Sequence, residues 1–142
     1  METADVRRRV REAAERARQS AAERRRRNDE AEREYDAFLT HVATPLFRQI
    51  VNVLRAEGYP FTLFTPGGSV RLMSDRSSED YIELTLDAAG SQPVVIGHAS
   101  RSRGRRVLSS ETALGSGGPV RDLTEEHVLA YVVKELEPMI ER

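Results

Sequence analysis

Small apolar residues recur at helical spacing through the first third of the chain. They fall at steps of three or four residues, with one wider gap between Ala21 and Ala31, at Val6, Val10, Ala13, Ala17, Ala21, Ala31, Tyr35, Phe38 and Val42. This period predicts one long α-helix over residues 1–43, about 65 Å long if it is continuous. The stripe is mostly alanine and is interrupted by Arg24 and Asn28, so it favours a weak or narrow coiled coil. We expect its first part to bind a partner through Val6, Val10, Ala13, Ala17 and Ala21.

A second, more apolar helical pattern follows at once. Thr44 and Pro45 supply a capping hydroxyl followed by proline, a pair typical of a new helix start or of a kink in one long helix. Six large apolar residues come next, at Leu46, Phe47, Ile50, Val51, Val53 and Leu54. Gly58 is placed to end this helix. We expect it to lie in the core.

The pattern in the middle of the chain predicts a β-meander. Residues 59–65 and 69–74 flank a Pro-Gly-Gly turn and predict a hairpin. Residues 81–87 alternate apolar and polar side chains, the pattern of a strand with one face in water. Residues 93–99 predict a fourth strand, 100–104 a basic loop, and 105–110 a short strand at an edge. Residues 115–119 are rich in glycine and predict a flexible linker.

One last helix closes the chain. Thr124 is the expected N-cap, and acidic residues in the first turn favour the helix dipole. The expected buried stripe is Leu129, Val132, Val133, Leu136 and Ile140. Pro138 is expected to end or bend the helix.

This order of elements predicts an α+β fold, a two-layer sandwich of a four- to five-stranded antiparallel meander with helices on one face. A charged helical segment over residues 1–43 would precede a sandwich domain over residues 44–142. The order resembles that of RWD-type domains, which carry a helix, a β-meander and C-terminal helices. The resemblance implies a protein-binding role, since such domains often lie beside coiled coils.

Charge is unevenly distributed along the leading helix. Residues 7–27 carry ten arginines against three glutamates, a net charge of +7, and residues 28–37 carry a net charge of −4. The helix is therefore a rod with a basic and an acidic block, and two such rods could pair antiparallel. Because residues 1–34 contain no aromatic residue, this segment cannot build a core of its own.

The bulk composition excludes several classes of function. The chain has 142 residues and a net charge of −1, which gives no overall attraction to nucleic acid or to an anionic membrane. It has no cysteine, which removes disulfides and thiolate metal sites. We expect a cytoplasmic protein, because no apolar run is long enough for a membrane span or a signal peptide. We expect no cofactor and no metal, since the three histidines lie far apart in sequence.

Two other chemistries are worth weighing. Exposed arginines could contact phosphates, and the candidate phosphate-binding residues are Arg24, Arg25, Arg26, Arg27, Arg101, Arg103, Arg105 and Arg106. The basic clusters contain no aromatic residue on which bases could stack, so nucleic acid is the second choice. A small enzyme is the third choice, and it would need His98 to share a pocket with Asp75, Glu79 or Asp80.

The leading hypothesis is a non-enzymatic interaction module that forms a homodimer or docks on a protein partner through its N-terminal helix.

Overall fold

The two helical segments predicted from the sequence form one continuous helical stretch. A computed structural model describes residues 1–141. Helix α1 (Thr3–Phe38) passes through a π-helical turn (Leu39–Ala43) directly into helix α2 (Thr44–Ala56). Together they cover a length of about 80 Å at 1.5 Å per residue.

The expected cap at Thr44 is wrong, because Ala43 before it keeps a right-handed helical backbone with φ −70° and ψ −51°. The N–H of Thr44 donates instead to the carbonyl of Leu39, five residues earlier. This wider turn accommodates Pro45, whose ring would clash with the carbonyl four residues before it in a regular α-helix. The chain thus follows the other expectation, one long helix with a local distortion.

Five strands form one antiparallel meander in sequence order. They are β1 (Phe61–Phe64), β2 (Val70–Ser74), β3 (Tyr81–Asp87), β4 (Val94–Arg103) and β5 (Arg106–Ala113).

The expected basic loop over residues 100–104 is wrong, because β4 runs on to Arg103, which pairs with Arg106. Gly104 has φ +62°, the conformation that a two-residue hairpin turn needs. The Asp80 carboxylate accepts the Ser102 N–H at 2.8 Å and helps to hold this extension.

The chain between β5 and the last helix is also ordered. Residues 115–119, predicted as a flexible linker, lie in a tight turn over Leu114–Gly117 and in the residues that lead to a 3₁₀ turn over Val120–Asp122. Leu114 and Val120 are both buried. Gly115 and Gly117 have φ of +58° and +78°, a left-handed conformation that glycine adopts without strain, and Ser116 between them has φ +57°.

Helix α3 (Glu125–Ile140) begins at the cap predicted for it. The Thr124 hydroxyl accepts the His127 N–H, and the His127 Nδ1 accepts the Thr124 N–H at 3.0 Å. The expected buried face is partly wrong, since Leu129 and Val133 are exposed. The helix buries Val128, Tyr131, Val132, Leu136 and Met139. Pro138 lies inside the helix, which ends two residues later.

The α+β two-layer sandwich is confirmed. Helices α2 and α3 cover one face of the sheet, where Phe47, Leu72, Ile82, Leu84 and Val132 are fully buried. The end of α1 joins the same core through Tyr35 and Phe38. The sheet does not close into a barrel, and its other face carries polar and half-exposed side chains.

Candidate functional site

The first part of α1 has no tertiary support. From residue 3 to residue 26, hereafter the projecting helix, no side chain is buried, and the first buried residue of the chain is Ala31. Val6 and Val10 keep 45% and 62% of their surface exposed. The side-chain contacts found along the segment are local, Arg8 with Asp5 and both Arg18 and Gln19 with Glu15. The projecting helix therefore offers a surface about 36 Å long.

All five residues predicted to contact a partner lie on this free surface. Val6, Val10, Ala13 and Ala17 are exposed and Ala21 is half-exposed. We call these five residues the apolar stripe. They share one side of an uninterrupted α-helix, as their spacing predicts.

The apolar stripe continues the face that α1 buries against its own sheet. Ala13 lies 18 residues before Ala31, and Ala17 lies 18 residues before Tyr35. Eighteen residues make about five full turns, so each pair points to the same side of the helix. Ala31 and Tyr35 are 7% and 3% exposed. A molecule that covers the stripe would thus lie on the same side of α1 as the domain.

Arginines border the apolar stripe on both sides. At 100° per residue, Arg7, Arg9, Arg16 and Arg25, hereafter the flanking arginines, lie within about 100° of its centre. The four acidic residues of the projecting helix lie about 120° or more away, at Asp5, Glu12, Glu15 and Glu23. Arg18 also lies near the border, but its guanidinium pairs with Glu15 at 3.4 Å. The surface beside the stripe is therefore basic, and the opposite surface holds the acids.

Tyr35 anchors α1 where it meets the sheet. Its hydroxyl lies 2.8 Å from the carbonyl of Gly68 and 3.2 Å from that of Leu84. Burial raises the pKa of Tyr35 above its usual value, and the nearby carboxylates of Glu83 and Asp36 act in the same direction. The ring also lies 6.4 Å from that of Phe38, centroid to centroid. These contacts fix the direction in which the projecting helix leaves the domain.

A cleft lies at the junction of α1 and the domain. It has a volume of about 360 Å³, and the helix side is formed by Arg27, Glu30, Ala31 and Glu34. The domain side is formed by the turn before β4 and by the segment around the second 3₁₀ turn. Arg121 reaches across to Glu34, at 3.9 Å between Nη1 and Oε1. The cleft therefore lies at the end of the projecting helix that adjoins the domain.

The candidate phosphate-binding arginines form two separate groups. Arg24, Arg25, Arg26 and Arg27 are exposed on α1, just before it reaches the domain. Arg103, Arg105 and Arg106 are exposed at the tip of the β4–β5 hairpin, and Arg101 beside them is half-buried. The cleft at α1 contains Pro93, at the other end of β4, so about 30 Å of strand separates the two groups. The fold does not bring the basic clusters onto one surface.

One row of side chains crosses the open face of the sheet. The strand register aligns Phe64, Arg71, Glu83, His98 and Glu111. Arg71 binds Glu83 at 2.8 Å and stacks on the Tyr81 ring, with its guanidinium carbon 4.3 Å from the ring centroid. These pairs join neighbouring strands.

His98 pairs with a different acid from those expected. Its Nδ1 lies 3.3 Å from Glu111, and its Nε2 lies 2.9 Å from the Thr85 hydroxyl. The expectation of an acid from residues 75–80 is wrong, because antiparallel pairing places β5 rather than that loop beside His98. The Glu111 side chain is 71% exposed, so this contact lies in solvent. No reaction follows from this geometry.

Other observations set limits on the site. Within residues 1–141, no group of three or more metal-ligating side chains is arranged to hold an ion. No helix in the same part of the chain is both long and apolar enough to span a membrane. The sequence matches no family model, and neither a curated protein nor a solved structure is significantly similar to it. The resemblance to RWD-type domains therefore rests on the order of elements alone.

Sequence reasoning identified the apolar stripe but missed what borders it. Angular positions on a helix would have located the flanking arginines, since they follow from spacing alone. The cleft could not have been found in this way. It depends on residues 91–93 and 119–121 meeting α1, and no local pattern indicates that contact.

Proposed function

We propose that the protein is a non-enzymatic protein-interaction module that binds through its projecting helix. The observation that carries this proposal is the exposure of the apolar stripe along the projecting helix, none of whose side chains is buried. In proteins most helical stability comes from packing of an apolar face rather than from propensity, so a partner that covers the apolar stripe would stabilise the projecting helix. The sandwich domain then acts as the base that holds the helix in a fixed direction.

Affinity purification from the cells that produce the protein tests this function. The full chain is compared with a variant carrying Ala13→Glu and Ala17→Glu, which places two carboxylates on the apolar stripe. A control carrying Gln19→Glu and Ala22→Glu adds the same charge outside the stripe. We expect a bound protein to be lost from the stripe variant and kept by the control. Equal recovery with all three chains would refute the proposal.

A second candidate is nucleic-acid binding at the β4–β5 hairpin tip, where three arginines are exposed. Contacts to phosphates would give an affinity that falls steeply with salt, since counterions are released on binding. A gel-shift titration of the full chain with a 20-base-pair DNA duplex and an RNA oligonucleotide at 50 mM NaCl tests it. A chain with Arg103→Gln, Arg105→Gln and Arg106→Gln should bind more weakly. Unshifted oligonucleotides at this low salt would remove the candidate.

A further inference from the structure

We infer that the projecting helix takes a heterologous helix whose own apolar stripe is bordered by acidic residues, and not a second copy of this chain. The inference rests on the proposed function, because it names the partner of the same surface. The flanking arginines make the surface beside the apolar stripe basic, and this charge selects an acidic partner. The binding experiment distinguishes this inference from nucleic-acid binding and from self-association.

Self-pairing over the apolar stripe would bring like charges together. In a two-helix coiled coil the residues bordering the seam of one helix face those bordering the other, whether the helices are parallel or antiparallel. Within the projecting helix, the flanking arginines would therefore face arginines of the second copy. Arg24 lies on the same side of the helix, three residues after the last residue of the apolar stripe, and would add a charge inside the seam. Like charges so placed oppose association.

The acidic block of α1 cannot supply the missing negative charge. In an antiparallel pair, the basic residues 7–27 of one copy could face the acidic residues 28–37 of the other. This pairing requires the apolar side of α1 to be free over residues 28–37 in both copies. On that part of α1 the same side of the helix carries Ala31, Tyr35 and Phe38, and all three are buried in the chain's own domain. Only residues 3–26 remain available, and they carry nine arginines against four acids, a net charge of +5. The complementary surface must come from another molecule.

The form of the site favours a helix as that molecule. The stripe consists of valine and alanine, small side chains that allow a second helix to approach closely. The available length of about 36 Å corresponds to a helix of about 24 residues. One end of such a helix would lie at the junction of α1 with the domain, where Arg27 and Ala31 border a cleft. A polyanion such as nucleic acid would satisfy the flanking arginines but would leave the apolar stripe uncovered or in contact with charge.

A charge-reversed copy of the protein serves as the probe. The flank variant carries Arg7→Glu, Arg9→Glu and Arg25→Glu, which makes the border of its apolar stripe acidic. The matched outer variant carries Arg8→Glu, Arg11→Glu and Arg26→Glu, with the same change in net charge on the far side of the helix. None of these six arginines is buried, so the domain should fold in both chains. Circular dichroism and the urea midpoint verify this before mixing.

Sedimentation velocity at 100 µM chain and 50 mM NaCl gives the result. The wild-type chain alone should remain at its monomer mass of 16.0 kDa. Its mixture with the flank variant should give a one-to-one complex, at least tenfold tighter than any complex with the outer variant. The complex should weaken at 500 mM NaCl, since exposed charges are then screened. Adding Ala13→Glu and Ala17→Glu to the flank variant should abolish it.

Three results would overturn the inference. They are a wild-type chain that dimerises as tightly as it binds the flank variant, equal binding of flank and outer variants, and no association in either mixture. If the wild-type chain instead binds a DNA duplex and all six arginine reversals weaken binding alike, the helix is a nucleic-acid contact. The proposed function fails separately, in the cellular experiment with the stripe variant. If a cellular protein binds through the apolar stripe but the flank variant does not bind the wild-type chain, the proposed function stands. The inference that the partner has an acidic border is then rejected.

Discussion

The ring of Tyr131 on α3 fills the space that a side chain at Gly97 on β4 would occupy. A Cβ added at Gly97 would lie 2.3 Å from Cζ and 2.4 Å from Cε2 of the Tyr131 ring. Real atoms do not approach so closely, so α3 packs at this distance from the sheet only because residue 97 is glycine. Two residues 34 positions apart in sequence thus set the spacing of the two layers.

We expect Gly97→Ala to lower the free energy of unfolding by about 1–3 kcal/mol through overpacking. Urea denaturation followed by circular dichroism measures the change. Gly67→Ala is the matched control, because a Cβ there meets nothing within 4 Å and its φ is not positive. Combining Gly97→Ala with Tyr131→Leu should recover part of the loss. A stable Gly97→Ala chain would show that the layers can separate at little cost.

The Tyr131 hydroxyl is buried and finds no hydrogen-bond partner among residues 1–141. An unsatisfied buried hydroxyl is destabilising, so Tyr131→Phe should raise the free energy of unfolding by about 1 kcal/mol. Tyr35→Phe should do the opposite and lower it by about 1 kcal/mol, because that hydroxyl bonds to the Gly68 carbonyl at 2.8 Å. Urea midpoints of the two variants, measured side by side, check the difference in sign. A loss of similar size in both would show that the Tyr131 hydroxyl is satisfied in solution.

Alkaline pH should destabilise the fold through the same two tyrosines. Burial raises the pKa of both Tyr35 and Tyr131 above the usual value for tyrosine. Because their pKa is higher in the folded state than in the unfolded state, deprotonation favours unfolding. Their full contribution to the free energy of unfolding is therefore present below about pH 10 and is lost as the pH rises above it. The loss is at most about 1.4 kcal/mol per pH unit for each tyrosine. Urea midpoints at pH 9, 10 and 11 should fall less in the Tyr35→Phe/Tyr131→Phe double variant than in the wild-type chain.

Removing the projecting helix should leave the domain intact. A chain that begins at Arg27 keeps every buried residue, so its free energy of unfolding should stay within about 0.5 kcal/mol of the full chain. Its helical signal at 222 nm per molecule should drop. A chain that begins at Asp36 also loses Ala31 and Tyr35 and should be destabilised by about 3–5 kcal/mol. Destabilisation of the first chain as large as that of the second would mean that residues 3–26 pack on the domain in solution.

Local patterns were sufficient where one face of an element is clearly apolar. The strand over residues 81–87 alternates strictly, and Ile82 and Leu84 are fully buried as that alternation requires. The cap at Thr124 was also predictable, since it depends on residues three positions apart. The β4–β5 hairpin was predicted incompletely, because a basic sequence with one glycine looks like a loop until a partner strand supplies its hydrogen bonds.

The sequence by itself determined the order of the elements, the α+β class and the stripe of small apolar residues on the first helix, because each depends on the spacing of neighbouring residues. Tertiary structure alone decided which side of α3 is buried, since Val128 and Tyr131 compete with Leu129 and Val133, and packing on the domain, including that of Tyr131 over Gly97, selects between them. It also decided where the stripe is free. Contact with the sheet occupies that stripe from Ala31 onward and leaves residues 3–26 open, and a contact between distant segments cannot be deduced from the pattern of either one.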